Sequence, residues 1–290
     1  MAEQEQYSLI GGVILVTGGC GFIASNLIQY LLDNHPSVRI INVDRMSYCS
    51  RAPDIKQNDR YRFMKVDICD SKRLVHIFEQ EKVDAIIHMA AQSHVDRSFG
   101  NSLTFTRDNV LGTHSILEAC RQYKFLKRFI HVSTDEVYGD VMEDEDDCAE
   151  NSLLNPTNPY AATKAGAEFL VRAYGKSFGL PYIITRGNNV YGPQQFPDKL
   201  IPLFTNFLSN GEKCTVHGNG SSKRTFVHVQ DVARAFEAVL KYGVDKEIYN
   251  IGSDEEFSVI DIASKLCEII RPGENVSEHL KYVEDRAYND

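Results

Sequence analysis

Tyr160 and Lys164, in the stretch PYAATK, stand four residues apart, so a helix begun by Pro159 places both on one face. A phenol with a pKa of about 10 is a poor base at neutral pH. A neighbouring ammonium group stabilises the phenolate and makes it useful. A second group of reactive side chains lies upstream. In HVSTDEVYGD, residues 131–140, an apolar strand that begins at Phe129 runs into Thr134, Asp135 and Glu136. Two adjacent carboxyl groups in a partly dry site tend to split their titrations. One is then ionised while the other is protonated at the same pH, which suits a reaction needing a base beside an acid.

These side chains need a scaffold, and the chain's apolar pattern describes one. VILVTG (13–18) is a continuous apolar run, as expected of a strand buried on both faces. A helical pattern follows from Phe22 to Asp33. Further strands are read at 38–44, 61–67, 84–91, from Arg128, and at 181–192. Helical spacing fills the gaps: Leu74, Ile77 and Phe78 mark one helix, 103–123 a long one, and Pro159 opens another. This alternation predicts an α/β fold with a doubly wound parallel sheet of Rossmann type. After residue 192 the pattern becomes irregular, apart from one amphipathic helix in QDVARAFEAVLKYG. The expected organisation is a dinucleotide-binding domain over 11–192, carrying the reactive residues, and a smaller substrate-binding lobe over 193–290.

The first strand runs into TGGCGFIA, where Gly18, Gly21 and Ala24 fit G-x-x-G-x-x-[GA]. Such glycines make a tight turn and let the backbone approach a pyrophosphate. Phe22 and Ile23 then open a helix whose N–H groups point at that phosphate. Asp44 ends the second strand about 20 residues on, where an acid accepts the ribose hydroxyls. A carboxylate there repels a 2′-phosphate, so NAD+ is favoured over NADP+, although Arg45 next door could welcome that phosphate. The nicotinamide's positive charge would join Lys164 in stabilising a Tyr160 phenolate.

Bulk properties narrow the partners. A net charge of −9 argues against nucleic acid as the main partner. No run of about 18 apolar residues is present to span a membrane. The N-terminal residues lack the basic and apolar regions of a signal peptide. Seven scattered cysteines without a C-x-x-C pair read as reduced thiols in a cytoplasmic protein. The acidic run at 143–147 reads as a solvated loop, and no metal site is expected.

TGGCGFIA, STDEVYGD, PYAATK and NNVYGPQQFPDKLIP together resemble the extended short-chain dehydrogenase/reductase family, and within it the nucleotide-sugar 4,6-dehydratases. The likeness runs from Val13 to the chain's end. TRGNNVYGP and EIYNIGS are similar to the type that acts on UDP-glucose or dTDP-glucose, as in deoxysugar and rhamnose biosynthesis. The resemblance implies C4 oxidation by NAD+, loss of water across C5–C6, and return of the hydride to C6. Tyr160 would take the O4 proton, Glu136 the C5 proton, Asp135 would protonate the leaving C6 hydroxyl, and Thr134 would hold O4. It also implies cofactor contacts at Asp67, Ile68, Ala90, Ala91 and Ser93. Asn189, Lys199, Leu200, Arg224, Asn250 and Arg286 would bind the sugar nucleotide, and the chain would form a homodimer through helices near 103–123 and 159–178.

Two departures stand out against the family. Ala287 replaces the usual proline, and the chain stops at Asp290 where the family continues, as a trimmed or naturally short form would. Two other readings fit the glycines: a sugar-nucleotide epimerase or decarboxylase of the same fold, and a non-catalytic NAD(H)-binding module. The first has no use for the Asp–Glu pair, and the second commonly loses Tyr or Lys.

Overall fold

A computed structural model describes residues 7–51, 55–140 and 148–284. The chain opens with β1 (Val13–Thr17), α1 (Phe22–Asn34), β2 (Arg39–Asp44), β3 (Tyr61–Lys65), α2 (Ser71–Glu81) and β4 (Ala85–His88). Two short helices, α3 (Val95–Gly100) and α4 (Ser102–Phe105), lead through a π-helical turn (Thr106–Leu111) into α5 (Gly112–Tyr123). β5 (Arg128–Thr134), a 3-10 turn (Asp135–Tyr138), α6 (Pro159–Phe178), β6 (Tyr182–Gly187) and β7 (Asn189–Tyr191) follow. Then come α7 (Leu200–Asn210), β8 (Cys214–His217), β9 (Lys223–His228), α8 (Val229–Tyr242), β10 (Ile248–Ile251), β11 (Glu256–Ser258), α9 (Val259–Ile270) and β12 (Leu280–Val283).

Seven strands form one sheet in the order β10-β6-β5-β4-β1-β2-β3, and every pairing in it is parallel. Its first six strands follow the doubly wound order, whose direction reverses between β1 and β4. Ligands of such sheets bind beyond the strands' carboxyl ends at that switch point. The strands read as apolar runs because both faces are covered. On one face Leu15, Ile41, Ile86, Phe129 and Ile184 pack with Phe78 of α2, Ile116 and Leu117 of α5, and Val171 of α6. α1 and α8 lie together, where Glu237 accepts a hydrogen bond from Tyr30 Oη.

The chain divides into two contact units. One holds residues up to Gly187 together with Gln230–Ile251; the other holds Asn188–Val229 and the residues from Gly252 on. The cut expected at 192 therefore differs from the contact pattern in two ways. The stretch read as a single sixth strand at 181–192 splits, because β6 stays in the large sheet while β7 pairs with β9 in a three-stranded sheet with β11. The amphipathic helix α8 and strand β10 return to the first unit, where β10 lengthens the sheet beside β6. The second unit has its own core of Phe204, Leu208, Cys214, Val216, Ala263 and Cys267. The helix expected over 103–123 is interrupted by the π turn, where one extra residue per turn bulges the backbone.

Candidate active site

β5 delivers the two acids. Its last residue, Thr134, adopts an extended conformation (φ −143°, ψ 154°) and starts the 3-10 turn that carries Asp135 and Glu136. Thr134 Oγ1 donates to Asp135 Oδ1 at 3.1 Å and accepts from the Glu136 amide at 3.4 Å. Gly139 ends the turn at φ +86°, and a Cβ there would lie 2.1 Å from the Asn155 carbonyl oxygen. Only glycine fits that position.

α6 delivers the phenol and the ammonium group. Asn158 caps it, accepting from the Ala161 amide at 2.8 Å, and Pro159 occupies the first turn. Tyr160 is buried against Val95 and Phe105. Burial, and then the charge of Glu136, push its phenol above the ordinary range. Asp135 acts in the same direction, while a hydrogen bond with Thr134 opposes it. Thr134, Asp135, Glu136 and Tyr160 thus lie close enough to act on one another. Lys164 Nζ donates to the Val132 carbonyl at 2.6 Å. Burial lowers its pKa to about 8, with Glu168 opposing, so at neutral pH it remains mostly charged.

The nucleotide turn meets β4 at the switch point. Gly18 has φ +70°, and a Cβ on it would sit 2.8 Å from Ala90 Cα. The α1 N-terminus has Gly21 as its cap, with no side-chain hydrogen bond and no acid in the first turn. A helix start of this kind, beside a turn too tight for a side chain, fits a dinucleotide pyrophosphate. Phe22 and Ile23 open that helix. Asp44, at the end of β2, accepts from the Cys20 and Met46 amides at 3.1 and 2.6 Å. Arg45 pairs with Asp108, with Asp67 also 3.9 Å away. Asp67 itself accepts from Arg107 at 2.8 Å, and Ile68 packs against Gly112. Ala91 and Ser93 are exposed beyond β4.

Several residues that sequence reasoning missed hold these pieces together. Thr17 Oγ1 accepts from the Met89 and Ala90 amides, both at 3.1 Å. Its own proton therefore goes to His88 Nδ1, 2.8 Å away. That makes His88 the Nε2–H tautomer, which donates to Thr113 Oγ1 at 3.0 Å. Thr113 passes its proton to the Asn109 carbonyl at 2.6 Å. The Asn109 amide donates to Thr163 Oγ1 at 2.9 Å, and Thr163 donates to the Tyr160 carbonyl at 2.7 Å. Burial, and then the Lys164 charge, bring the His88 pKa to about 3, so the ring stays neutral. Farther along α6, buried Glu168 grips Arg186 through both carboxylate oxygens, and Arg186 donates to Tyr138 Oη at 2.8 Å.

The residues expected to bind substrate have mixed placements. Asn250 is occupied within the first unit: it accepts from Tyr138 Oη at 2.7 Å and donates to the Cys148 carbonyl at 3.1 Å. Asn189, Lys199, Leu200 and Arg224 lie in the second unit. Lys199 is the N-cap position of α7 and Leu200 its first residue. Arg286 and the acidic run 143–147 lie outside the described residues. Among the described residues, no cluster of His, Cys, Asp or Glu is arranged to hold a metal ion, and no helix is long and apolar enough to cross a membrane.

Residues 14–252 match the NAD dependent epimerase/dehydratase family, which spans most of the sheet and every residue of the reactive cluster. The chain belongs to the NAD dependent epimerase/dehydratase family. Among curated relatives, this family member is 49% identical to a dTDP-D-glucose 4,6-dehydratase of Dictyostelium discoideum, over 88% of the chain and 62% of the relative. It is 44% identical to the dTDP-D-glucose 4,6-dehydratase of Homo sapiens, over 99% of the chain and 84% of the relative. The epimerase/dehydratase chain thus spans less than two thirds of the first curated relatives it matches, 62% of one and 42% of a trifunctional Arabidopsis thaliana protein. Its fold is similar to that of a Streptomyces venezuelae dTDP-glucose 4,6-dehydratase solved with NAD bound, at TM-score 0.87 and 38% identity, over 94% of this chain and 85% of that one. A Thermotoga maritima UDP-glucose 4-epimerase superposes nearly as well, at TM-score 0.86 and 29% identity, over 95% and 86%. The fold of this family member is therefore shared by both reaction types.

Proposed function

We propose that this chain removes water from a nucleoside-diphosphate-glucose, UDP-glucose or dTDP-glucose, to give the 4-keto-6-deoxy sugar. The observation that carries the proposal is that Asp135 and Glu136, side by side in the turn after β5, are tied through Asn158 to the first turn of α6, where Tyr160 lies. An epimerase needs the phenol but has no use for two carboxyl groups beside it.

NAD+, when bound, supplies the acceptor for the C4 hydride, its return to C6, and a positive charge. Tyr160 takes the proton from the C4 hydroxyl, and Thr134 holds that oxygen. Burial and the acidic neighbours raise the phenol, and a charged Lys164 one helical turn along α6, whose Nζ donates to Val132, would oppose them in favour of the phenolate. A ketone at C4 acidifies the C5–H bond. Glu136 takes that proton, and the electron pair moves to the ketone oxygen as an enolate. As the enolate re-forms the ketone and a C5–C6 double bond, the C6–O bond breaks and Asp135 gives a proton to the C6 hydroxyl, which leaves as water; once hydride has reached C6, Glu136 returns to C5 a proton exchanged with solvent. The remaining substrate contacts, at Asn189, Lys199, Leu200, Arg224, Asn250 and Arg286, and the cofactor contacts at Asp44, Arg45, Asp67, Ile68, Ala90, Ala91 and Ser93, belong to the same proposal. So does the assignment of the first unit to cofactor and of the second to substrate.

A cytoplasmic location is supported by seven free thiols. A homodimer is supported by the exposed Leu103, Leu111, Phe169 and Phe178 on the helical run before α5, and on α6. Light scattering after size exclusion tests it.

The deciding experiment uses UDP-glucose and dTDP-glucose, separately, in heavy water. A dehydratase yields a 4-keto sugar with solvent deuterium at C5, and deuterium placed at C4 of the substrate appears at C6. Label kept at C4 with no exchange at C5 identifies an epimerase and overturns the proposal.

A further inference from the structure

Asn158 is nine-tenths buried, and its two polar atoms serve two masters. Oδ1 accepts from the Ala161 amide at 2.8 Å and begins α6. Nδ2 donates to Glu136 Oε2 at 3.0 Å. The first task is undemanding, since serine, threonine and aspartate cap a helix about as well as asparagine. The second is not. Aspartate has no donor to offer a carboxylate, and a serine hydroxyl sits on a shorter side chain. An asparagine is the small capping residue that can accept from the helix and donate to the acid together.

The position also matters. Tyr160 lies two residues beyond Asn158, in the same first turn of α6. Glu136 lies in the 3-10 turn after β5. The Asn158 amide therefore ties the element carrying the O4 base to the element carrying the C5 base. A glutamate free to rotate spends much of its time away from a substrate C–H bond, and loss of alignment by about an ångström is costly in rate. A hydrogen bond on Oε2 narrows that rotation before substrate arrives.

We infer that Asn158 is a positioning residue for Glu136, acting on C5 proton abstraction in addition to starting the helix. The inference rests on the dehydratase reading given above.

Asn158→Ser separates the two tasks. It keeps the cap, adds no charge, and carries its hydroxyl on a shorter side chain than the amide that meets Glu136. The expected result is parental melting temperature and KM, with kcat and the rate of C5 deuterium incorporation both reduced about tenfold or more. A residue that only caps the helix would leave all four unchanged, and that result overturns the inference. Asn158→Thr is a second uncharged cap and guards against a serine variant that folds poorly. It should show the same split between kcat and KM, and parental kcat and exchange would equally overturn the inference. The unmodified chain is the control for the underlying reading. If it forms no 4-keto product and incorporates no deuterium at C5, the dehydratase reading fails. If it does both and the variants match it, only the role of Asn158 fails.

Discussion

At the scale of single residues, charge in a dry place governs the site. Glu136→Gln keeps the shape and the acceptor for Asn158 but cannot take a proton. It should fold normally, lose product formation by about 10²–10⁴-fold, and incorporate no deuterium at C5. Product at the parental rate would remove Glu136 from the role of base. Lys164 gives a second expectation, in stability. Burial has brought its pKa from 10.5 to about 8. Between those values the unfolded chain holds the proton and the folded chain has released it, so this residue makes stability rise with pH across that window. Below about pH 8 the folded chain bears the full net cost of holding the charge, on the order of 3 kcal/mol. Lys164→Met should therefore be inactive yet melt higher than its parent at pH 7, with the advantage shrinking as pH rises towards 10. Equal melting at pH 7 would show that Lys164 bears no burial cost. The residues proposed to react stand out in the sequence because they are neighbours: Thr134 to Glu136 are consecutive, and Tyr160 and Lys164 share one helix face. Asn158 and Glu136 are 22 residues apart, and His88 and Thr113 are 25 apart. Pairs of that kind are made by packing, and no local spacing announces them.

At the scale of elements, the site depends on how closely β1 and β4 end beside one another. Gly18→Ala would need a left-handed conformation that costs about 1–2 kcal/mol, and its methyl group would meet the backbone of Ala90. The variant should lose about 1–3 kcal/mol of stability and bind NAD+ more weakly in calorimetric titration. Unchanged affinity would show that the turn is not where the pyrophosphate rests. Strands buried on both faces were readable as apolar runs: β1, β2 and β4 fall within the predicted segments, and β5 begins at Arg128 as predicted. β10 was not. It has only four residues, Ile248–Ile251, and they alternate in burial too weakly to declare a sheet. The break at Gly187 was hidden for a related reason: β6 and β7 are separated by a single residue, so one extended run serves two sheets.

At the scale of the whole molecule, the chain leaves its first unit after Gly187 and comes back at Gln230. No composition shift marks either crossing, because α8 is as amphipathic as any helix beside a sheet. The excursion has a consequence for a chain made one residue at a time on a ribosome. β6 is synthesised with five of its six residues destined for burial, and its partner β10 follows about 60 residues later, at a few seconds' remove. During that interval β6 is an apolar sheet margin open to a stranger's strand. Arg128, almost fully buried, waits in the same way for the Val239 and Leu240 carbonyls at the end of α8. A chain ended at Gly187 should therefore clump on refolding at concentrations where one ended at Asp290 stays dispersed, as light scattering would report. Equal dispersion would mean that the first six strands mature alone. Steady translation through residues 188–251 would shorten the interval in which that margin stands open.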